Sequence, residues 1–173
     1  MRIEAAGFVL RPFAPGDEGD LVRYGNDRAI WRNLTNAFPH PYTAADASAW
    51  VTVANQEPEH GRTFAIVCEG HVIGSVGFGR RVDLQTRNAE IGYWIGQPFW
   101  GRGIAPLALR LVAKHAFDHY DFVRLQAGIL SWNAPSCRVA EKAGFSFEAR
   151  LRQAAFKDGE VCDLLMYALL REP

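Results

Sequence analysis

The stretch that decides the fold is Glu90-Ile-Gly-Tyr-Trp-Ile-Gly-Gln-Pro-Phe-Trp-Gly-Arg-Gly-Ile-Ala105. Residues 90–95 are typical of a strand, a short glycine-rich turn follows, and a helix begins near residue 103. Glycines at 101 and 103 allow positive φ and a close approach to a ligand. The free N–H groups and positive dipole end of a helix can hold a phosphate without a basic side chain. A plain strand–turn–helix junction explains the same residues, so geometry alone leaves both interpretations open.

Two well-known phosphate loops are excluded at this turn. The dinucleotide fingerprint needs a third Gly or Ala where Pro106 stands, and the triphosphate loop needs a Gly-Lys-Ser/Thr sequence that is absent. Pro106 itself supports the start of a helix here, because proline is tolerated in a helix's first turn.

Hydrophobic periodicity and turn signals extend the prediction outward from this stretch. Thr43 is expected to cap a helix, and Asp158-Gly159 is a strong hairpin signal. The predicted strands are 7–13, 63–68, 71–78, 89–95, 123–130, 145–157 and 161–170, and the predicted helices are 17–34, 43–53, 103–119 and 134–143. This order predicts an α+β fold with one mixed, mostly antiparallel sheet flanked by helices, in a single domain over residues 1–173.

Composition restricts the class of protein. The chain has 173 residues, of which 49% are hydrophobic and 22% charged. These values are near the averages for globular proteins and exclude a disordered chain or a coiled coil. Lys plus Arg and Asp plus Glu each number 19, so the formal net charge is zero. A nucleic-acid binder carries a basic excess to displace counterions, so we expect no direct nucleic-acid binding.

The sequence predicts a cytoplasmic protein without a membrane partner. No apolar run approaches the roughly 20 residues that span a bilayer. Glu4 places an acid where a signal peptide needs its apolar segment. Cys68, Cys137 and Cys162 are odd in number and widely spaced, which indicates reduced thiols.

Four segments carry a resemblance to a known family. Trp100-Gly101-Arg102-Gly103-Ile104-Ala105 resembles the pyrophosphate-binding motif of the GNAT acetyltransferases. The other three resemble the ribosomal-protein (RimJ/RimL-like) branch of that family: Asn133 to Phe145, Leu10-Arg11-Pro12 with Asp17, and Gly159 with Asp163 and Tyr167. The matches occur in the family's order over nearly the whole chain. Trp100 and Pro106 depart from the motif, where Gln or Arg and Thr or Ser are more usual.

The resemblance implies a GNAT-type domain with a cleft for acetyl-CoA, where the strand at 90–95 splays from the strand at 123–130. It implies that the pyrophosphate meets the backbone N–H groups of residues 101–105. The pantetheine arm would pair with the strand edge at 93–95, where an N–H could also polarise the thioester carbonyl. The implied cofactor-binding residues are Tyr93, Trp94, Ile95, Trp100, Gly101, Arg102, Gly103, Ile104, Ala105 and Asn133.

The implied chemistry is attack of an amine on a thioester, in which the amine loses a proton and the thiolate leaves. Glu90 is our candidate base, since alternation places it with Gly92 and Trp94, in surroundings expected to be apolar. A solvent-facing glutamate is the other interpretation. Ser136 matches the branch's serine near the thiol and is a candidate proton donor, or a first-turn serine that bonds a free N–H. Asn133 can contact pantetheine and cap its helix at once.

We expect no metal. His115 and His119 have the i, i+4 spacing of a helical metal pair, but no third ligand is evident. We interpret them as a histidine pair near a helix C-terminus, where the dipole favours a cation.

The sequence therefore predicts an N-acetyltransferase that moves an acetyl group from acetyl-CoA to a primary amine by direct attack in a ternary complex. The branch favours a protein N-terminal amine as acceptor. A small amine (a polyamine, amino acid or aminoglycoside) and a non-catalytic acetyl-CoA-binding module are the alternatives. An acidic pocket would favour a polycation, and residues 31–60 supply Asp46, Glu57 and Glu59. Members of the family are often homodimers.

Overall fold

The computed structural model describes residues 2–56 and 60–172. Its elements are β1 (Ile3–Ala5), β2 (Phe8–Arg11), α1 (Glu18–Gly25), α2 (Arg28–Trp31), α3 (Ala44–Val53), β3 (Gly61–Cys68), β4 (His71–Arg80), β5 (Asn88–Ile95), α4 (Ile104–His119), β6 (Arg124–Leu130), α5 (Ala134–Lys142), β7 (Ser146–Lys157) and β8 (Glu160–Leu170). The strands form one sheet in the order β1-β2-β3-β4-β5-β6-β8-β7, in which only β5 and β6 are parallel. The α+β prediction with a mostly antiparallel mixed sheet is confirmed.

A cleft opens where β5 and β6 separate. The two strands are paired only at Asn88–Arg124, Ala89–Leu125 and Glu90–Gln126. Beyond Glu90, β5 still pairs with β4 as far as Ile95, while no strand among the described residues pairs with its other edge. The crossover through α4 places the N-terminus of that helix just beyond the end of β5. The site described below lies in this cleft.

Helices cover both faces of the sheet. On one face α4 packs Ala108, Leu109 and Val112 against buried strand residues such as Phe64. On the other face α1 and α3 contribute Leu21 and Val51 to a second cluster. Among the described residues, no helix is long and apolar enough to cross a membrane.

The predicted helix at 17–34 is wrong, because the chain breaks between α1 and α2. Gly25 lies in a narrow space against Phe38 and Trp94. Asn26 then turns its side chain to accept a hydrogen bond from the Tyr42 N–H at 3.0 Å. Asp27 starts α2 as its N-cap by accepting from the Ala29 N–H at 2.7 Å. The break directs α2 toward the cleft. The prediction also missed β1.

The N-terminal segment is held by a bidentate ion pair. Both guanidinium NH₂ groups of Arg11 donate to the carboxylate of Asp17 at 2.7 Å, and the Ala14 N–H donates to the same carboxylate at 2.8 Å. Asp17 is buried, so the hydrogen bonds that its carboxylate accepts replace the hydrogen bonds to water that it loses on folding. This arrangement gives a structural reason for the Arg11-Pro12 and Asp17 pattern.

Replacing Asp17 with alanine should lower the free energy of unfolding by about 2–4 kcal/mol, because it removes the partner of the Ala14 N–H and the counter-charge of the partly buried Arg11 guanidinium, which keeps its bond to the Pro12 carbonyl. Urea denaturation measures the change. Glu4→Ala is the matched control, since Glu4 forms an ion pair with Arg2 that is well exposed; it should cost less than about 0.5 kcal/mol. Equal losses in the two variants would contradict the prediction.

Candidate active site

A cavity of about 590 Å³ occupies the cleft between β5 and α5. Its walls come from α2 and the loop after it, the end of β5, the turn into α4, and the first turns of α5. Its lining residues are Ala29, Ile30, Arg32, Asn33, Leu34, Tyr93, Trp94, Ile95, Phe99, Trp100, Gly101, Gly103, Ile104, Ala105, Pro106, Trp132, Asn133, Pro135, Ser136, Arg138, Val139 and Lys142. Three of these are cationic and none is a carboxylate.

The turn into α4 forms one end of the cavity. Gly101 and Gly103 have φ of 77° and 76°, the left-handed region that favours glycine. Gly103 is the N-cap of α4, and no side chain caps the helix. A Cβ built at either glycine meets no atom within 4 Å, so the space before the first turn of the helix is open. First-turn N–H groups facing open space at a positive dipole end fit a phosphate group.

Trp100 fixes this turn to the strand before it. Its indole N–H donates to the Ile95 carbonyl at 2.6 Å, and its side chain stays half exposed. A packing and backbone role therefore accounts for tryptophan at the first position of the motif. Arg102, which we expected to bind the cofactor, does not line the cavity. Its guanidinium donates to Glu69 at 3.2 Å and lies over the ring of Phe99.

Ser136 and Asn133 line the opposite wall at the start of α5. Asn133 is the predicted N-cap, and its side-chain oxygen accepts from the Ser136 N–H at 3.2 Å. The Ser136 hydroxyl lies 2.9 Å from the hydroxyl of Tyr93, which reaches across from β5. Burial raises the pKa of Tyr93 to about 12, so its phenol stays protonated at neutral pH.

Glu90 lies outside the cavity, and the expected apolar surroundings are not found. Its carboxylate is half exposed and accepts a hydrogen bond from Arg81 at 2.9 Å. The reason is the β4–β5 connection: the Arg81 N–H bonds the Asn88 carbonyl, which brings Arg81 beside Glu90. Glu90 is nevertheless the last residue of β5 that pairs with β6, so it stands where the cleft begins.

The structure thus brings together most of the predicted residues. Those that line the cavity are Tyr93, Trp94, Ile95, Trp100, Gly101, Gly103, Ile104, Ala105, Asn133 and Ser136. Their binding and catalytic roles stay predictions.

Several lining residues were missed by sequence reasoning. Arg138 and Lys142 follow Pro135 at helical spacing, so the face of α5 that contains Ser136 predicts them. Arg32 and Asn33 directly follow α2, which we did not predict as a separate helix because one helix was expected over residues 17–34. Trp132, just before α5, contacts the two residues that follow α2: its indole N–H donates to Asn33 at 3.1 Å, and its ring lies under the Arg32 guanidinium.

Comparison with known proteins gives a consistent result. The family model of the acetyltransferase (GNAT) domain matches residues 8–146. The chain is 29% identical over 166 residues to the uncharacterized N-acetyltransferase p20 of Bacillus licheniformis, covering 94% of this chain and 92% of that protein. It is 31% identical over 109 residues to the ribosomal-protein-serine acetyltransferase of Escherichia coli (strain K12), covering 63% of this chain and 60% of that protein.

The fold agrees with that of a solved acetyltransferase. The ribosomal L7/L12 alpha-N-protein acetyltransferase RimL, in complex with coenzyme A, superimposes with a TM-score of 0.83 at 21% identity, over 96% of this chain and 95% of that chain. The glycine turn before α4, the cleft beyond Glu90 and the family match over most of the chain lead to one conclusion. The chain belongs to the GNAT acetyltransferase family and is an N-acetyltransferase that uses acetyl-CoA.

Proposed function

We propose that the protein acetylates the N-terminal α-amine of a protein, with a ribosomal protein of the cytoplasm as its acceptor. The observation that carries this proposal is the charge of the cavity. Its described lining contains Arg32, Arg138 and Lys142 but no Asp or Glu. A polyamine or an aminoglycoside needs carboxylates to offset its several positive charges, and this lining supplies none. The ribosomal-protein-serine acetyltransferase among the relatives supports the same class of acceptor.

The reactivity of the amine also favours a protein N-terminus. An α-amino group has a pKa of about 7.7–8.0, whereas a lysine amine has about 10.4. Only the neutral amine attacks a thioester, and nearby cations stabilise the neutral form. The one acid of residues 31–60 that the structure describes does not compensate, because Asp46 accepts hydrogen bonds from the Thr43 N–H and hydroxyl in a capping box. Glu57 and Glu59 lie outside the described residues.

The proposed mechanism follows from the positions of the walls. The N–H groups of 101–105 would hold the pyrophosphate, and the unpaired edge of β5 would hold the pantetheine arm and polarise the thioester carbonyl. Bound acetyl-CoA supplies the activated acetyl group. The amine nitrogen attacks the carbonyl carbon, the C–S bond breaks, and the sulfur leaves with its electron pair. Glu90 is the proposed acceptor of the amine proton, through water in the cleft, and Ser136 the proposed donor to sulfur.

Thermal denaturation with acetyl-CoA, CoA or ATP tests the donor. Ligand at 100 times its Kd adds about 2.7 kcal/mol, which for this size raises Tm by roughly 5–11 °C. We expect the rise with acetyl-CoA and CoA but not with ATP. The acceptor is tested with peptides whose N-terminus is free or blocked, beside spermidine, a free amino acid and an aminoglycoside. Mass spectrometry should locate the acetyl group on the α-amine. Faster acetylation of spermidine would contradict the proposed acceptor, and donor binding without transfer to any amine would favour a non-catalytic module.

Replacing Glu90 with glutamine tests the base. General base catalysis contributes about 10²–10⁴-fold, so kcat should fall at least about 100-fold while Kd for acetyl-CoA changes less than about twofold. Arg81→Gln is the matched control: it removes the ion-pair partner and leaves the carboxylate in place, so most of kcat should remain. A Glu90→Gln variant whose kcat equals that of the wild type across about pH 6–9 would remove Glu90 from the mechanism.

A further inference from the structure

Tyr93 makes a contact that the mechanism above does not use. It lies on the part of β5 that has separated from β6, and its hydroxyl crosses the cleft to the Ser136 hydroxyl at 2.9 Å. Ser136 itself is held in place by the bond from its backbone N–H to Asn133 at 3.2 Å. The hydrogen bond from Tyr93 therefore restrains what is still free in the serine, which is the rotamer of its side chain and the direction of its O–H.

The direction of this hydrogen bond follows from the relative acidity of the two hydroxyls. A hydroxyl has one proton to donate and lone pairs to accept. Among the described residues, Ser136 is the partner that the structure gives the Tyr93 hydroxyl. A phenolic hydroxyl is more acidic than an aliphatic one and is therefore the stronger donor, while the serine oxygen is the stronger acceptor, so the bond from Tyr93 to Ser136 is the favoured direction. Tyr93 therefore donates to Ser136, and the serine proton remains available to the cavity.

We propose that Tyr93 is a positioning residue that, by donating its hydroxyl proton to Ser136, aims the serine O–H at the thiolate of departing coenzyme A. The proposal rests on the proposed role of Ser136 in acetyl transfer. Tyr93 gives up no proton in the step. The sulfur leaves with the electrons of the C–S bond, the amine proton goes to the base, and the serine O–H stabilises the sulfur anion by a hydrogen bond. The raised pKa of Tyr93 keeps the phenol a donor throughout.

A directed O–H donor has a consequence that can be measured without turnover. A thiolate only accepts hydrogen bonds, and charge-assisted bonds are stronger than neutral ones. The site should therefore bind the thiolate form of CoA more tightly than the thiol form. As pH rises toward the ionisation of the free thiol, CoA binding should tighten relative to that of S-methyl-CoA, which cannot ionise.

The experiment measures Kd for CoA and S-methyl-CoA by calorimetry between about pH 6.5 and 9.5. In the wild type the ratio of the two Kd values should shift about tenfold in favour of CoA. Ser136→Ala should abolish the shift. Tyr93→Phe, which removes only the hydroxyl, should reduce it to about threefold or less, while binding of S-methyl-CoA stays near the wild-type value. Tyr167→Phe is the matched control, because that buried hydroxyl bonds Glu141 on α5 rather than Ser136; it should keep the full shift.

The outcomes separate this proposal from the one it rests on. If Ser136→Ala keeps the wild-type shift, the proposed role of Ser136 fails, and that of Tyr93 with it. If Ser136→Ala loses the shift but Tyr93→Phe keeps it, Ser136 stands and the positioning role of Tyr93 is overturned. If Tyr93→Phe weakens both ligands equally at every pH and leaves their ratio unchanged, Tyr93 only supports the wall of the cavity, which also overturns the proposal.

Discussion

Replacing Gly103 with alanine is expected to weaken acetyl-CoA binding about 100-fold. Gly103 has φ of 76° and is the N-cap of α4. A Cβ there disfavours the left-handed conformation by about 1–2 kcal/mol, and it projects into the open space before the helix. Relaxation of the turn also costs N–H bonds to the pyrophosphate at about 1.5–3 kcal/mol each. Strain that is present with and without ligand cancels in Kd, so the loss of affinity comes from the lost bonds, one or two of which correspond to roughly a hundredfold change in Kd.

The matched control for this variant is Gly7→Ala. Gly7 has φ of 84°, and a Cβ there also meets nothing within 4 Å, but it lies in the β1–β2 turn at the far edge of the sheet. Both variants should lose similar, small amounts of stability, since both place alanine in the left-handed region. Only Gly103→Ala should lose affinity in calorimetric titration with acetyl-CoA. Equal affinity in the two variants would mean that the turn is a structural junction rather than a phosphate cradle.

The parts of the fold that the sequence predicts well are those whose signals are local. The glycines at 101 and 103, with Pro106 behind them, define the end of a turn and the start of α4 within a few residues. The Asp158-Gly159 pair likewise marks the β7–β8 hairpin without information from elsewhere in the chain. The cavity end at the N-terminus of α4 could be placed from sequence for this reason.

What the sequence could not predict depends on distant contacts. The interpretation of Leu21, Tyr24 and Ile30 as one inward face predicts a helix that continues through the break between α1 and α2, although Ile30 would lie half a turn away from Leu21 at about 3.6 residues per turn. The break is set by the packing of Gly25 under residues from other elements and by the bond of Asn26 to Tyr42. The wall formed by α2 was missed as a result.

The surroundings of Glu90 also could not be predicted from the local sequence pattern. Alternation correctly places Glu90 on the face of Gly92, and both are exposed. Its partner Arg81 arrives through the long connection between β4 and β5, whose register no short turn signal fixes. Alternation alone therefore predicts the face of the sheet on which Glu90 lies, but not the guanidinium of Arg81 beside it.

Mild acid is expected to destabilise the fold through His115. The sequence suggested a histidine pair that the helix dipole favours as cations. Instead, His115 is buried against Phe64 and Phe78. Burial, together with the charges of the neighbouring His119 and Arg62, lowers its pKa to about 4, and Asp118 opposes the shift. Within the described residues, neither ring nitrogen has a hydrogen-bond partner, so the ring is held neutral.

The direction of this pH effect follows from the pKa of His115 in the unfolded and the folded chain. Unfolded, His115 has a pKa of about 6.5, above its folded value of about 4. As pH falls below about 6.5, His115 binds a proton in the unfolded chain but stays neutral in the folded chain. Its contribution to the free energy of unfolding is therefore fully present above that pH and is lost toward pH 4. The loss amounts to about 2 kcal/mol at pH 5 and about 3 kcal/mol in total. For a chain of this size, the loss at pH 5 lowers Tm by about 4–8 °C.

The His115→Leu variant separates this effect from other titrations. Leucine fills a similar volume and leaves no unpaired nitrogen, so at about pH 7.5 the variant should be at least as stable as the wild type. Between about pH 7.5 and 5 its Tm should fall by about 4–8 °C less than that of the wild type. His60→Gln, at an exposed histidine before β3, should keep the wild-type fall. If all three proteins lose Tm equally, acid acts through other groups, and the neutral, buried state of His115 is not what limits stability at low pH.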